Sequence, residues 1–389
     1  MSFSSLGLHK SLLNQVQRQN YTSPTPIQAA AIPVVLRGHD VIGLAQTGTG
    51  KTAAFVLPIL QRLMQGKQGA SRGIRALIIT PTRELAAQIR TAITALSHNS
   101  GLRSATIYGG VSMSPQEKAL RSGVDIIVAC PGRLLDHIDR GYVRLGGLQM
   151  LVLDEADRML DMGFLPSIKR ILKYTPTSRQ TLLFSATMPA EIKALAASTT
   201  RNAVTVQVDP AQPATTVTHA IYPVDEQGKT ALLLELLRRT AADSVLVFTR
   251  TKHRANRVAA KLQQANYAVA RLHSNRSQQQ RQIALDGFRD GTFQVLVATD
   301  IAARGIDVTR ISHVINYDIP ATPDTYIHRI GRTGRAAQTG DAYTLVTPAD
   351  SVMVRTIERV LGKPIERRTL SGSYEQLPKP RVKQRRHLR

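Results

Sequence analysis

A glycine-rich segment between an apolar run and a helix-like run has the spacing of a phosphate-binding loop. Its residues are Ala45, Gln46, Thr47, Gly48, Thr49, Gly50, Lys51 and Thr52. Gly48 and Gly50 allow the backbone to curl so that successive N–H groups point at phosphate oxygens. Lys51 is placed to reach the β and γ phosphates, and Thr52 offers a hydroxyl to Mg²⁺. The strict pattern starts with glycine, but its looser form accepts Ala45, so the segment predicts a nucleoside triphosphate site.

Two consecutive carboxylates follow a later apolar run, in the quartet Asp154-Glu155-Ala156-Asp157. If that run is a parallel strand, its end lies at the sheet edge where α/β proteins bind ligands. Asp154 would then hold Mg²⁺, directly or through water, and Glu155 would act as the general base on the attacking water. A solvated acidic turn is the alternative for the quartet taken by itself, but the phosphate loop favours nucleotide hydrolysis.

Hydrolysis also requires positive charge beside the γ phosphate, because charge spreads over its oxygens in the transition state. The segment 328–335 contains His328, Arg332 and Arg335, and its glycines ease a turn that can present both arginines. An RNA-backbone patch or a solvated face is the alternative reading of this segment. A second Gly-Lys-Thr at 228–230 lacks a glycine-rich curl, so we expect an ordinary helix start and no second nucleotide site there.

Short apolar runs that alternate with helix-like stretches predict two open parallel α/β sheets with helices on both faces. The predicted strands are 40–44, 76–80, 125–129, 150–154 and 181–185, and then 244–248, 295–299, 313–317 and 342–346. The sequence predicts an N-terminal domain over 1–208, a polar, proline-containing linker over 209–218 and a C-terminal domain over 219–370. A basic disordered tail is predicted over 371–389.

The charge balance predicts a polyanionic partner. Lys and Arg number 51 against 27 Asp and Glu, a net charge of +24, and nucleic acid fits such an excess best. The one cysteine, Cys130, excludes an intrachain disulfide and a cysteine-based zinc site. Without a signal-peptide pattern or a long apolar run, a cytoplasmic protein with no membrane segment is expected.

The acidic quartet together with the segment 328–335 resembles the DEAD-box family of RNA helicases. The compact size and the short basic tail resemble the bacterial RhlE-type branch of that family. Further motifs match in family order from Phe3 to Arg335. The resemblance implies two tandem RecA-like domains, with ATP and Mg²⁺ as cofactors. Two positions depart from the family pattern: Cys130 stands where threonine is usual, which removes a hydroxyl from an expected RNA contact, and Asn20 stands where glycine is commoner.

The resemblance also assigns roles to further residues. Segment 24–28 is similar to the Q motif, in which Gln28 would hydrogen-bond the adenine edge and Tyr21 would stack on its face. Ser185 and Thr187 would couple hydrolysis to RNA engagement, and Asp307 would lie toward the ribose of ATP. The implied RNA-facing residues are Pro81, Thr82, Arg83, Gly109, Gly110, Gly132, Arg133, Arg250, Gln278, Arg281 and Thr299.

The implied activity is RNA-dependent ATP hydrolysis by a monomer that grips the RNA backbone without regard to sequence and unwinds short duplexes or remodels RNA–protein complexes. Aromatic residues make up 4% of the chain, too few for a base-stacking platform. A DNA-directed translocase and an ATP-gated RNA clamp with little unwinding are the alternatives. The sequence does not select among ribosome assembly, RNA decay and cold adaptation.

Overall fold

The computed structural model describes residues 1–45, 48–65, 73–208, 217–240, 242–303, 311–334 and 339–370. The chain divides into two compact units, one before and one after the segment 209–216. That segment, which covers most of the predicted linker, lies outside the described residues, as does the predicted tail. Gln46, Thr47, Asp307 and Arg335 lie outside them as well.

The first unit contains a parallel seven-stranded sheet, as far as the chain is described, in the order β3-β4-β2-β5-β6-β1-β7. Its strands are β1 Val41–Leu44, β2 Ala76–Ile79, β3 Ser104–Ile107, β4 Ile126–Ala129, β5 Met150–Leu153, β6 Gln180–Ser185 and β7 Val204–Gln207. Its helices are α1 Lys10–Arg18, α2 Pro26–Leu36, α3 Lys51–Gln65, α4 Arg83–Leu96, α5 Ser114–Arg121, α6 Pro131–Asp139, α7 Ala156–Asp161, α8 Leu165–Leu172 and α9 Ala190–Thr199.

Side chains of the central strands alternate between two apolar layers, one on each face of this sheet. On β5, Val152 packs with helices α1 to α4, while Leu151 and Leu153 pack with helices that include α6, α8 and α9. Because both faces are covered, the strands read as continuous apolar runs. Phe184 on β6 lies against Gly43 on β1, where an added Cβ would be 2.4 Å from the ring. This close approach requires glycine.

The second unit repeats the arrangement with strand order β10-β11-β9-β12-β13-β8-β14 within its described part. Its strands are β8 Val217–Pro223, β9 Val245–Thr249, β10 Val269–Leu272, β11 Val295–Thr299, β12 His313–Asn316, β13 Gly340–Val346 and β14 Glu366–Arg367. Its helices are α10 Lys229–Thr240, α11 Lys252–Gln264, α12 Gln278–Arg289, α13 Asp300–Ala303, α14 Pro323–Ile330 and α15 Ser351–Leu361. Every strand pairing is parallel in both units.

The predicted fold class is confirmed, and the nine predicted strands are all present with ends shifted by at most two residues. Strand β8 begins at Val217, so the last two residues of the predicted linker belong to the second sheet. The Gly-Lys-Thr at 228–230 begins helix α10, as expected. Hydroxyl side chains fix several helix starts beside strand ends, since Thr82, Thr251 and Thr322 each accept a bond from a backbone N–H of the first turn.

Candidate nucleotide and RNA site

The phosphate-binding loop runs from the end of β1 to the start of α3. Gly48 and Gly50 have φ of 88° and 90°, a left-handed conformation that glycine adopts without steric cost. An added Cβ at Gly50 would also lie 2.5 Å from Nε2 of Gln28. Backbone strain and lack of space therefore both require glycine at this position.

Lys51, the first residue of α3, is buried, with 6% of its surface exposed. Its Nζ donates a hydrogen bond of 2.9 Å to the carbonyl of Ala45, which holds the ammonium group inside the curl of the loop. Thr52 follows in the same helical turn and is half-buried. The unpaired N–H groups of a helix start, a cation and a hydroxyl are thus gathered where a triphosphate would be bound.

Gln28 connects the predicted adenine-reading segment to this loop. Its Nε2 donates to the carbonyl of Gly50 at 3.0 Å, and its Oε1 accepts from the backbone N–H of Thr25 at 3.0 Å. The second bond belongs to the capping box at the start of α2. Tyr21 is 37% exposed and stacks on Phe3 with ring centroids 6.3 Å apart. The structure therefore adds a loop-holding contact to the predicted role of Gln28.

Asp154 and Glu155 lie at the carboxyl end of β5 and are each 2% exposed. Burial raises the pKa of Asp154 to about 7, and the nearby Lys51 charge opposes this shift. Oδ1 of Asp154 has no hydrogen-bond partner among the described residues. A buried carboxylate oxygen without a partner is costly, and a divalent cation would satisfy it.

The donor set fits Mg²⁺. Within the described part of the chain, no group of three or more His, Cys, Asp or Glu could hold a metal ion by itself. Mg²⁺ commonly binds one or two protein oxygens and takes its other ligands from water and substrate phosphates. Asp154 and the hydroxyl of Thr52 are the residues that would hold it.

Glu155 adopts a left-handed conformation, with φ of 55° and ψ of 51°. Its carboxylate forms an ion pair of 2.8 Å with Arg158, one turn later in α7, and both side chains are almost fully buried. Sequence reasoning assigned no role to Arg158. Its signal was the i,i+3 spacing after a candidate catalytic carboxylate, which places the two side chains on the same side of a helical turn.

Asp157 joins the acidic quartet to the predicted coupling segment after β6. Its Oδ2 accepts bonds from the backbone N–H of Ala186 at 3.1 Å and from the N–H and hydroxyl of Thr187 at 2.9 and 3.1 Å. The hydroxyl of Ser185 accepts a bond from the N–H of Asp157 at 3.2 Å. Burial acts to raise the pKa of Asp157, but the positive charges of Lys51 and Arg158, helped by the two bonds from Thr187, hold it below its usual value. Ser185 and Thr187 are thus brought to the acidic quartet.

The predicted RNA-facing residues of the first unit fall into two groups. The guanidinium of Arg83 lies against Gly110, where an added Cβ would be 2.0 Å from it. Arg133 donates to the carbonyl of Val111 at 3.2 Å, so both arginines converge on the loop that contains Gly109, and Gly132 is exposed nearby in sequence. Pro81 and Thr82, in contrast, are buried, and the Thr82 hydroxyl caps α4.

Cys130, the position that departs from the family pattern, precedes α6 as its N-cap residue and is 9% exposed. Burial raises the pKa of its thiol to about 12, with the negative charge of Glu84 as a smaller contribution. The side chain forms no capping hydrogen bond. Cysteine therefore replaces the usual hydroxyl by a buried, neutral thiol.

In the second unit, Asp318 bonds to the residues at the strand end where Arg250 lies. Its carboxylate is 1% exposed, accepts from the backbone N–H of Arg250 at 2.8 Å and bonds to the guanidinium of Arg254. The buried ammonium of Lys229 lies 3.6 Å away. The predicted RNA residue Thr299 ends the neighbouring strand, opposite Thr249 in the register. Sequence reasoning missed Asp318, although an acid directly after a predicted strand was a signal.

Arg329 is a third residue that sequence reasoning missed, after Arg158 and Asp318. It is 2% exposed and forms a two-point ion pair with Asp300, at 2.6 and 2.7 Å. It also donates to Asn316 and to the carbonyl of Asp318. The predicted catalytic residues on either side of it are His328, half-buried on α14, and Arg332, which is buried. Gln278 and Arg281 lie in the first turn of α12 and are half-buried.

No helix in the described ranges is long and apolar enough to cross a membrane.

Comparisons with known proteins agree with the two-unit architecture. The profile of the family described as DEAD/DEAH box helicase matches residues 25–195, and that of the helicase conserved C-terminal domain matches residues 228–337. The DEAD-box ATP-dependent RNA helicase RhpA of Helicobacter pylori strain B128 is 42% identical over 366 residues, covering 94% of this chain and 73% of RhpA. The DEAD-box ATP-dependent RNA helicase CshA of Bacillus subtilis strain 168 is 41% identical over 368 residues, 94% of this chain and 74% of CshA.

Among solved structures, S. cerevisiae Dbp5 bound to RNA and ADP BeF3 aligns with a TM-score of 0.85 and 32% sequence identity. The alignment covers 95% of each chain. The alignments with the two sequence relatives and with the solved structure all extend over both units.

Proposed function

This chain belongs to the DEAD-box family of ATP-dependent RNA helicases, and we propose that it is an RNA-dependent ATP hydrolase that clamps RNA and locally unwinds short duplexes or remodels RNA–protein complexes. The observation that carries the proposal is the first-unit site at the carboxyl edge of the sheet. There the left-handed Gly48 and Gly50, the buried Lys51 and the Oδ1 of Asp154, which has no hydrogen-bond partner within the described part of the chain, occur together. Such a set is suited to a triphosphate with its cation.

Each residue of this site has a task in the proposed reaction. Lys51 and the backbone N–H groups of the loop bind the phosphates, and Gln28 holds the loop while it reads the adenine. Glu155 accepts the proton of the attacking water as the bond from water to the γ phosphorus forms. The bond from that phosphorus to the β–γ bridging oxygen breaks, and ADP leaves. Mg²⁺, held by Asp154 and Thr52, would neutralise phosphate charge when bound.

We further propose that Arg332 and Arg335 neutralise charge on the γ phosphate in the transition state, with His328 supporting the same segment. The contribution of such arginines is about 10³-fold or more in turnover. Asp307 would contact the ribose. Asp157 then links phosphate chemistry to RNA, because the same carboxylate that follows Glu155 in the quartet holds Ser185–Thr187.

RNA is proposed to bind along its backbone, through Arg83, Gly110 and Arg133 in the first unit and Arg250 and Thr299 in the second. Backbone contacts position a strand without reading its sequence. We propose that the protein acts as a monomer in the cytoplasm and belongs to the RhlE-type branch. A part in ribosome assembly would agree with these properties.

The test compares ATP hydrolysis without nucleic acid, with single-stranded RNA and with DNA of the same sequence. We expect strong stimulation by RNA and little by DNA, and equal stimulation by both would contradict the proposal in favour of a DNA-directed translocase. A single-turnover assay on a short RNA duplex then distinguishes unwinding from clamping. If RNA stimulates hydrolysis but no strand is released, the protein is an ATP-gated clamp.

A further inference from the structure

A cavity of about 500 Å³ lies at the outer edge of the first sheet, outside the site described above. Its walls come from α4, from the edge strand β3 and from α5. Consecutive residues of β3, from Ser104 to Thr106, line it, so the cavity lies along the strand that ends the sheet on this side among the described residues. The volume is within the range of small-ligand sites.

The lining combines groups that match the parts of a nucleoside. Ser104 and Thr106 offer hydroxyls, Tyr108 offers a half-buried aromatic ring, and Val111 offers an apolar wall. Arg90 is exposed and provides the positive charge. Among the described residues that line the cavity there is no Asp or Glu, so an anionic ligand meets no opposing charge in the wall.

The cavity is continuous with the predicted RNA-facing loop. Val111 directly follows Gly109 and Gly110, and its carbonyl accepts the bond from Arg133. One part of the loop therefore contacts the two predicted RNA arginines while the next part lines the cavity. On α4, Arg90 follows Arg83 by seven residues, a spacing that places both on the same face of a helix. A strand bound at Arg83 can thus follow positive charge toward the cavity.

Buried hydrogen bonds hold this wall in place before any ligand binds. The amide of Gln116, 8% exposed, accepts from the backbone N–H of Tyr108 at 3.1 Å. Its Nε2 donates to the carbonyls of Tyr108 at 3.2 Å and Ser112 at 3.0 Å. A wall that is already ordered reduces the entropy lost on binding, which favours a higher affinity for the ligand.

We propose that this cavity receives one nucleoside of an RNA strand that leaves the loop 109–112, with the base beside Tyr108 and Val111 and the adjoining phosphate at Arg90. The inference rests on the proposed RNA-binding function and extends it by one position that the family motifs do not assign. The open edge of β3 could instead pair with an extended peptide. The cationic rim and its connection to the RNA-facing arginines favour RNA.

The experiment measures the affinity of the full chain for single-stranded RNAs of increasing length, in the presence of a non-hydrolysable ATP analogue. Wild-type protein should show a step of roughly tenfold at the length that reaches the cavity, the effect of about one stacked base. Arg90→Ala removes the charge, and Ala119→Leu, on α5, fills the space. Both should abolish the step. Arg144→Ala, which removes an exposed arginine outside the cavity lining, is the matched control and should keep it.

RNA carrying 4-thiouridine at the position of the step should crosslink to the peptide that contains Tyr108. No step in the wild type, an equal step in all variants, or equal losses in Arg90→Ala and Arg144→Ala would each overturn the proposal. The proposal would also be overturned if Ala119→Leu lost binding to a protein partner while its RNA affinity stayed unchanged. That result would mean that the edge of β3 binds a peptide. RNA-stimulated ATP hydrolysis on the shortest RNAs reports on the proposed function separately, so it can persist when the cavity proposal fails.

Discussion

Glu155 is placed at a cost to the fold. A left-handed conformation costs a residue with a Cβ about 1–2 kcal/mol, and the carboxylate is also buried beside Asp154. The ion pair with Arg158 compensates the buried charge, because a partnered carboxylate is far less costly in the interior than an isolated one. The strained backbone and the ion pair together fix where the carboxylate points. Such strain is typical of functional positions.

We predict that Lys51→Ala and Glu155→Gln both abolish ATP hydrolysis, but only Lys51→Ala weakens ATP binding. The first change removes the cation that binds phosphate, whereas the second keeps the size of the side chain and an acceptor for Arg158. Turnover and the dissociation constant for ATP should be measured on both variants. Because general bases contribute at least about 10²-fold, turnover in Glu155→Gln above a tenth of wild type would show that another group is the base.

Cys130 is predicted to be inert in the native protein. Only the thiolate reacts with alkylating or disulfide reagents, and burial raises the pKa of this thiol to about 12. At pH 8 the native thiol should react much more slowly than the same thiol in denaturant, as followed with a chromogenic disulfide. Cys130→Thr, which restores the usual hydroxyl, should leave folding intact. Equal rates in native and denatured protein would contradict the burial.

Helix α14 shows how a single element joins several strand ends. Arg329 connects it to Asp300 after β11, to Asn316 on β12 and to the carbonyl of Asp318. Its guanidinium also lies over the ring of Phe248 on β9, 4.9 Å from the centroid. Arginine is suited to this position because its planar group can bond a carboxylate at two points and stack on an aromatic ring.

Arg329→Met should destabilise the second unit by about 1–3 kcal/mol, because the buried Asn316 loses a hydrogen bond and the half-buried Asp300 loses its ion-pair partner. Arg238→Met is the matched control, since its ion pair with Glu235 is on the surface, with 70% of the Arg238 side chain exposed. An exposed pair contributes about 0–1 kcal/mol. Urea unfolding followed by circular dichroism measures both. Similar losses in the two variants would mean that the Arg329 network does not stabilise the unit.

The strands that could be predicted from the sequence are the ones buried on both faces, such as Met150–Leu153. Those that were missed have mixed polar and apolar residues: β3, β7, β8, β10 and the two-residue β14. Strand β7, for example, has one buried residue in four. Four of these five strands, β3, β7, β10 and β14, are edge strands of the described sheets. Edge strands bury less surface, so their sequences carry a weaker signal.

The residues of the candidate site also differ in how well the sequence predicts them. Lys51, Asp154 and Glu155 could be predicted because each has a chemical task that restricts the residue type and its spacing. Arg158, Asp318 and Arg329 were missed. Arg158 lies only three residues from Glu155, and that spacing alone does not assign it a role. Asp318 and Arg329 bond to residues that are distant in the sequence. Gln28 was predicted for adenine, yet its contact with Gly50 depends on how α2 packs beside the loop.

At the scale of the whole molecule, buried histidines make stability depend on pH. Burial is the main cause of a lowered pKa for His137 in the first unit and for His219, His273 and His313 in the second. His137 is fully buried, and neither ring nitrogen has a hydrogen-bond partner among the described residues. The folded protein therefore keeps these rings neutral at pH values where the unfolded chain protonates them.

The free energy of unfolding should fall as pH drops below about 6.5, the ordinary histidine value, and continue to fall until each folded-state pKa is reached. Above that value both states are neutral, and the contribution is fully present. Asp154 has the opposite effect. Because its pKa is higher in the folded protein than in the unfolded chain, the free energy of unfolding falls as pH rises from about 4 to 7. The measurement is therefore the difference between wild type and His137→Leu, across a pH series of urea unfolding curves. A pH-independent difference would contradict the prediction.

The single buried thiol has a practical consequence for site-specific labelling. Since the chain contains no other cysteine, maleimide dyes need no prior removal of native thiols under folding conditions. Tyr174 in the first unit is 46% exposed and Val352 in the second is 66% exposed, so Tyr174→Cys and Val352→Cys would present reactive groups on each. A donor and an acceptor fluorophore attached there would report the distance between the two labelled positions. Any change in that distance on addition of ATP could then be measured one molecule at a time.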